Sequence, residues 1–517
     1  MHTMRKFIEA DSEDRTAAGS VEEWLDDNHL ARFVVGVVNE LNLSSITTQF
    51  GKRGRSAYSP QMMVSLLFYS YASGTYSSRK IERQTYDSIP VRYICGNHHP
   101  DHDTIANFRK RFFPNLADLF VQILLYAQEL GFGKVGQVNI DGTKLAANAS
   151  KHSAMSLQRI IALMAKYEEE SKRLLELANQ ADNTPAGLDI PAELSRREEM
   201  QSQLAHAKEV IEQRQREVYE HKKAEYDAKM ERRRIKEELT GKKPGGKVPT
   251  APVETANPKS QYNFTDPESR IMKTKDGYGQ CFNAQAAVTN DMLIVGATLS
   301  NHPLDVLQLE SVLDTIPTQA GKVECVAADT GYYSLANSKA CLDRGIEPYL
   351  ATGRLTHRNW LNEQLDPENG DVAPLNADGL PLREMTDKEL MGQKLRTAEG
   401  KQIYGQRKMT SEPAFGIIKE QMNFRRFSCR GLSLAAAEWL FVSAAYNIKR
   451  LYGLTKARAN NAPLNVEEAG KEENATVLRQ NALDRLCGVW CSLVTEPSAP
   501  VLHTAGTGQM SFSPTGC

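Results

Sequence analysis

"QVNIDGTKLAAN", residues 137–148, holds a short apolar run that ends on an acid. Val138 and Ile140 alternate with polar neighbours, the two-residue period of a half-buried strand, and Asp141 follows at once. Read alone, Asp141-Gly142 is a turn, because both residue types accept left-handed backbone angles. A second such run lies far downstream. "KVECVAADTGYYS", residues 322–334, is apolar from Val323 to Ala328 and ends on Asp329. A third acid, Glu412, stands at the head of "SEPAFGIIKEQMNFRRFSCRGL", residues 411–432, which has helical character. Two carboxylates at strand ends and one on a helix are the donor pattern for divalent ions. Magnesium takes hard oxygen ligands, and two ions about 3.5–4 Å apart can activate the attacking oxygen and stabilise the leaving oxygen of a phosphoryl transfer. With 64 acidic residues in the chain many triples can be drawn, so strand-end placement carries the argument. Glu412 and Lys419 are two helical turns apart, on one face, where a cation can hold a phosphate beside a bound metal.

Working outward, the 517 residues are enough for two to four domains at about 100–200 residues each. Residues 20–133 read as helices. "SVEEWLDDNHLARFVVGVVNEL" opens on a capping box, Ser20 with Glu23, which predicts a helix from Ser20. "SPQMMVSLLFYSYASG" runs from Pro60 to Gly74, and residues 77–88 and 103–133 give two more helices. After the Asp141 strand, residues 154–239 are strongly charged and helical. Leu157, Ile160, Ile161, Met164 and Leu174 mark one helix, and Leu204, Ile211 and Val218 recur at seven-residue intervals on a second. This predicts a helical hairpin or weak coiled coil, closed by a linker rich in Pro, Gly and Lys, "TGKKPGGKVPTAPVETANP". "GYGQCFNAQAAV" and "DMLIVGATLS" then form a hairpin, "SVLDTIP" ends a helix, and "EPYLAT" is a further strand. Residues 355–400 read as polar loop, and the last sixty or so as an irregular tail. With the insertion set aside, the order is that of a mixed sheet with helices, an α/β fold.

Composition narrows the class. No run of about 18 apolar residues exists, and the N-terminus has no apolar core, so neither a membrane span nor a secretory signal is expected. Eight scattered cysteines without a CxxC pair suit reduced thiols in a cytoplasmic protein. The net charge is -1, yet residues 401–460 hold eleven Lys and Arg against three Glu. Such asymmetry points to a polyanion-binding region, with Arg425, Arg426 and Arg430 as phosphate contacts.

Several stretches together resemble one family. "YSPQMMVSLLFYSYASGTYSSRKIERQ", "PDHDTIANFRKRF", "IDGTKLAANASKHSAM", "NFTDPESRIMKTKDGYGQCFNAQAAV", "AADTGYYS" and "YGQRKMTSEPAFGIIKEQMNFRRFSCRGL" are similar, in order, to bacterial insertion-sequence transposases of the DDE class. The helical insertion after the first aspartate resembles one subgroup. The resemblance implies an RNase H-like catalytic core and Mg²⁺-dependent cutting and joining of transposon ends, with two ions for which Mn²⁺ substitutes. Its acids map to Asp141, Asp329 and Glu412. Its tyrosine–arginine–glutamate–lysine signature maps to Tyr404, Arg407, Glu412 and Lys419, with four residues between Arg407 and Glu412 where the best-known form has three. The expected partners are double-stranded DNA, both transposon ends and target, and further copies of the chain on that DNA. The expected setting is the cytoplasm, at the nucleoid. The implied limits are 1–133 for a helical DNA-binding domain, 134–153 for the first core strand and the segment after it, 154–257 for the insertion and linker, 258–455 for the rest of the catalytic domain and 456–517 for the tail.

Other constellations are weaker. Cys95, His98, His99 and His102 in "CGNHHPDH" could bind zinc, but a second half-site is missing. Asn283 and Gln285 face either the core or DNA. Glu420 and Glu438 are rival third carboxylates, and Glu438, inside an apolar helix beside Trp439, reads as structural. The competing function is a catalytically inactive, transposase-derived DNA-binding or coiled-coil protein; intact acids at all three positions weigh against it.

Overall fold

The computed structural model describes residues 21–50, 56–179, 189–242, 245–246, 248–353 and 385–461. The expected tail lies outside the described residues, except for its first six at the end of a long helix, as does most of the loop expected over 355–400.

The first helix among the described residues, α1, spans Leu30–Glu40 and buries Ala31, Val34, Val37 and Val38 along one stripe. Ser20, the expected start, lies outside the described residues, and residues 21–28 form turns and no helix before α1. His29 Nδ1 accepts from the Ala31 N–H at 3.0 Å and caps it. Arg32 explains the difference. Its guanidinium collects the carbonyls of Glu22, Leu25 and Asp26 and so holds residues 21–28 in turns. Helix α2, Pro60–Ala72, is buried on nearly every side. Helix α3 (Ser78–Asp87) packs on α4 (Ile89–Cys95) and α5 (His102–Glu129). Helix α4 packs on α2, and α5 reaches α2 through Arg109 and Phe113 at Tyr71. The Asp101 carboxylate caps α5 through the Thr104 N–H at 2.6 Å.

The sheet has six strands. Strand β1, Gln137–Ala146, lies between β5, Gly277–Val288, and β7, Cys325–Ala328. It runs antiparallel to β5 (Asp141 opposite Ala286) and parallel to β7 (Ile140 opposite Ala328). Strand β8, Glu347–Leu350, extends the parallel side. The outer edge of β5 is shared by β4, Arg270–Thr274, and β6, Ile294–Ser300. Helices α8 (Leu309–Asp314) and α9 (Leu335–Asp343) connect these strands. Helix α10, Asp387–Arg396, replaces the end of the expected loop: Thr386 and Glu389 make a capping box that polarity alone concealed. Helix α11, Ala398–Gly416, lies across β1, β5, β7 and β8 and continues into a π-helical turn, Ile417–Gln421. Helix α12, Leu432–Asn461, follows.

One continuous apolar core joins the N-terminal helices to the sheet. Phe68 of α2 stacks on Phe441 of α12 at 4.5 Å, and Lys449 Nζ donates to the Ala72 carbonyl at 2.9 Å. Gly74 sits at φ +82 where a Cβ would press the Met422 carbonyl, and the Tyr76 hydroxyl donates to the same carbonyl.

The insertion is built on a second, smaller core. Helices α6 (Leu157–Asn179) and α7 (Ile190–Thr240) run antiparallel, since Leu157 and Ile160 pack near Leu204, Ala207 and Ile211 while Glu170 pairs with Arg197 at 3.0 Å. Short strands β2 (Ala154–Ser156) and β3 (Gln261–Asn263) clasp its base. The expected seam stops at Ile211. Val218 is 45% exposed, because α6 begins beside Ile211 and offers nothing further along. The end of the linker is pinned, with the carbonyls of Pro258 and Ser260 accepting from Gln158 and Leu157 at the start of α6.

Candidate active site

Side chains alternate along β1, so Asp141 and Thr143 share one sheet face while Gly142 and Lys144 share the other. Asp141 Oδ1 accepts from the Gly142 N–H at 2.8 Å. In the parallel register with β7, the last pair is Ile140 with Ala328, so Asp141 and Asp329 are the next residues on adjacent strands. Asp329 Oδ1 accepts from the Gly331 N–H at 2.8 Å, which turns the chain sharply after the strand.

Helix α11 supplies the rest. Arg407 lies between two acids, its Nη1 3.4 Å from Asp141 Oδ2 and its Nη2 3.1 Å from Glu412 Oε1. The guanidinium is buried and stands 5.7 Å from the centre of the Tyr404 ring. Glu412 is half exposed. Lys419, on the π-helical turn, donates through Nζ to Thr143 Oγ1, two residues beyond Asp141 on the same face. π-turns inside helices are common at functional sites. Burial pushes the Lys419 ammonium down, with Lys275 and Arg425 adding to this and Asp141 opposing it.

Asp141 is pushed up to about 6. Burial is the main cause and outweighs the Arg407 attraction and the Gly142 hydrogen bond, while Asp329 and Glu412 add repulsion. The shift is a stability cost. A raised carboxyl value favours the protonated fold, so the stability tied to Asp141 is fully present below its ordinary 3.8 and lost as pH rises through about 6. The difference amounts to about 3 kcal/mol. Asp141→Asn mimics the protonated form. In the presence of a chelator it is expected to melt higher than the parent at pH 7, with the gap closing between pH 6 and 4. Equal melting at pH 7 would refute this account.

The basic loop is placed by the end of β1. Ala146 N–H donates to the Arg425 carbonyl at 3.1 Å, and Phe427 N–H donates to the Ala146 carbonyl at 2.9 Å. Arg425 pairs with Glu420 at the surface, and Arg430 Nε donates to the Asn148 carbonyl at 3.3 Å. Glu438 is buried, away from the other acids. Its carboxylate accepts from the Tyr71 and Ser428 hydroxyls and the N–H groups of Ser428 and Cys429, a structural role that fixes the basic loop.

The donor set suits a hard divalent ion, since all three acids offer carboxylate oxygens and the burial of Asp141 outweighs the attraction of Arg407. Among the described residues no three His, Cys, Asp or Glu side chains converge on one point. Arg407 stands between Asp141 and Glu412, and the exposed Glu412 side chain would have to turn inward. The candidate zinc ligands are likewise apart: His102 pairs with Glu82 at 2.8 Å, His99 stacks on Tyr86, and Cys95 is buried.

Sequence reasoning missed Asp305, which gathers Lys144, Asn283 and Gln285 behind β1. Its stretch, "NHPLDVL", ends no strand and carries no periodic signal.

Two family models match the chain. A transposase domain (DUF772) covers residues 19–111, and a transposase DDE domain covers residues 382–452, the stretch with Tyr404, Arg407, Glu412 and Lys419. They support an insertion-sequence transposase of the DDE class. No curated protein and no solved structure gave a match. Among the described residues no helix is long and apolar enough to cross a membrane.

Proposed function

We propose that this DDE-class transposase binds the terminal inverted repeats of its own insertion sequence and catalyses Mg²⁺-dependent strand cleavage and strand transfer on an RNase H-like core. The observation that carries the reading is that Arg407 bridges Asp141 and Glu412, with Asp329 next to Asp141 across the strand register and Lys419 on Thr143, two residues along β1. The strand order, with an antiparallel β6–β5–β1 half and a parallel β1–β7–β8 half, supports the RNase H-like assignment.

Asp141, Asp329 and Glu412 would hold the ions. Bound there, two divalent ions, Mg²⁺ or Mn²⁺, would supply Lewis acidity to the attacking and leaving oxygens. Lys419 and Arg407 place positive charge where a scissile phosphate would lie, and Tyr404 backs the guanidinium. In the first step water attacks the phosphorus at the transposon end, the P–O3′ bond breaks, and the 3′ oxygen leaves with a proton as a hydroxyl. In the second, that hydroxyl attacks a target phosphodiester. The new P–O bond replaces the broken one, and the target's own 3′ oxygen leaves. The N-terminal helices within 1–133 serve end recognition, and two or more copies act on one DNA in the cytoplasm at the nucleoid.

The test is incubation of the full chain with Mg²⁺ and a duplex carrying the repeats that flank its gene. New 3′-hydroxyl ends at the repeat boundary, lost on chelation, are the expected result. Specific binding without any cutting would favour the inactive DNA-binding protein instead.

Arg425, Arg426 and Arg430 hold the DNA backbone in this reading. Arg425→Ala and Arg426→Ala should each weaken binding to all duplexes about equally and flatten the slope of log K against log salt by about 1. A loss confined to one DNA sequence, with the slope unchanged, would show base reading instead.

A further inference from the structure

On the sheet face opposite Asp141, a polar cluster centres on one carboxylate oxygen. Lys144 Nζ, Asn283 Nδ2 and Gln285 Nε2 lie 2.9, 2.8 and 2.8 Å from Asp305 Oδ1. Each donor sits on a strand that frames Asp141: Lys144 on β1, and Asn283 and Gln285 on β5, directly opposite Lys144 and Gly142. Gln285 also donates to Asn283 Oδ1 at 2.9 Å and fills the space that Gly142 leaves, so that a Cβ there would overlap its amide.

The same cluster reaches the other catalytic acid. The Tyr332 hydroxyl, three residues after Asp329, donates to Gln285 Oε1. Gly331 lies between Asp329 and Asp305, with a Cβ position 3.0 Å from Asp329 Oδ1 and 3.7 Å from Asp305 Cβ. Asn337 Nδ2 donates to the carbonyls of Val306 at 2.8 Å and Tyr332 at 2.7 Å, and so ties the turn after Asp305 to the turn after Asp329. A charged acceptor shared by three donors is stiffer than three neutral pairs, and a partly buried network of this kind holds one geometry when all its members are satisfied.

We infer that Asp305 is a positioning residue for the catalytic pair: from behind the sheet it locks the Gly142 step of β1 to the turn that carries Asp329, and so sets how Asp141 and Asp329 face each other. Given the proposed function, its loss acts on ion binding through these two acids and not on DNA binding. Groups behind ion ligands typically change affinity or activity by about 10–100-fold.

Asp305→Ala removes the hub, Asp305→Asn keeps an acceptor oxygen but no charge, and Tyr332→Phe deletes one peripheral hydrogen bond. Amide hydrogen exchange on the full chain, without DNA or ion, tests the positioning itself. Exchange over residues 328–334 should quicken about tenfold in Asp305→Ala, less in the other two, with protection in α2 and α12 unchanged. Equal exchange over 328–334 in parent and Asp305→Ala overturns the inference. Mg²⁺ titration of strand cleavage tests the consequence. The half-saturating Mg²⁺ should rise about tenfold or more in Asp305→Ala, less in Asp305→Asn, with cleavage recovering at high Mg²⁺. An unchanged half-saturation in a variant whose exchange did quicken would overturn the link to the acids. A parent chain that cuts nothing would refute the transposase function, while the exchange result would still decide the positioning.

Discussion

Asp141→Asn, Asp329→Asn and Glu412→Gln should each lower Mg²⁺-dependent strand cleavage about a thousandfold while leaving binding to the terminal repeats nearly intact. The size follows from the chemistry: a bound ion contributes several kcal/mol to charge stabilisation in the transition state, and about 4 kcal/mol is a factor of a thousand. Each change removes an anionic ligand and keeps the shape. Asp141 has the most to lose, because it is buried and adjoins both Asp329 across the strand register and Arg407 on α11. With Asn at that position, Arg407 keeps its contact with Glu412, so the local packing should survive. End binding is assigned to other residues, the basic loop among them, so a gel shift of the same duplex should change little. The two readouts pull apart only if the acids are ion ligands. Near-normal cutting by any one variant removes that residue from the site, and parallel loss of cutting and binding would make it a DNA contact or a folding residue. The chelated protein offers an opposite sign for the same substitution: Asp141→Asn should be the more stable chain at pH 7, the mark of a carboxylate kept at a cost in stability.

Part of the candidate site could be read from local pattern. Asp329 stands directly after β7, as its apolar run suggests. Strand β1, by contrast, runs five residues past Asp141 to Ala146, because β5 pairs with it through that stretch, so this acid lies inside its strand and not at the end. Arg407, Glu412 and Lys419 lie within thirteen residues on one continuous helical segment. What stayed hidden depends on contacts between distant residues. Asp305 gains its meaning only when β5 brings Asn283 and Gln285 to it and β1 brings Lys144. The helix expected to run through residues 21–28 gave way to turns for a similar reason, since Arg32 gathers the carbonyls of Glu22, Leu25 and Asp26 from beyond that stretch. The heptad through Val218 failed where α6 ran out, a fact about the partner helix and not about α7. In each case local propensity was sound and tertiary packing decided otherwise.

Replacing residues 157–260 by a short Gly/Ser loop should leave a folded catalytic core and abolish assembly of two transposon ends into one complex. The insertion keeps its own small core, in which Leu157, Ile160, Leu204, Ala207 and Ile211 bury one another with Tyr262, apart from the main apolar cluster. Strands β2 and β3 bring Ser156 opposite Gln261, so a short loop can close the cut without stretching the sheet. Two anchors would go: Arg214, which donates to the Pro267 carbonyl and stands over the Tyr262 ring at 5.8 Å, and the packing on Tyr262 itself. Both lie at the base, outside the strands that carry Asp141 and Asp329. The part of α7 beyond Ile211 has the least to do with folding. It continues to Thr240 with no buried residue, about 43 Å at 1.5 Å per residue, charged around most of its circumference. A helix of that kind cannot serve as a layer of a core, but it can reach a second copy of the chain or its DNA. Thermal melting of the deletion should therefore match the parent within a few degrees, single-end cleavage should persist, and the slow-migrating paired-end complex should vanish. If the deletion unfolds the sheet, the insertion is an integral layer of the fold; if paired ends still form, whatever joins the two copies lies elsewhere in the chain.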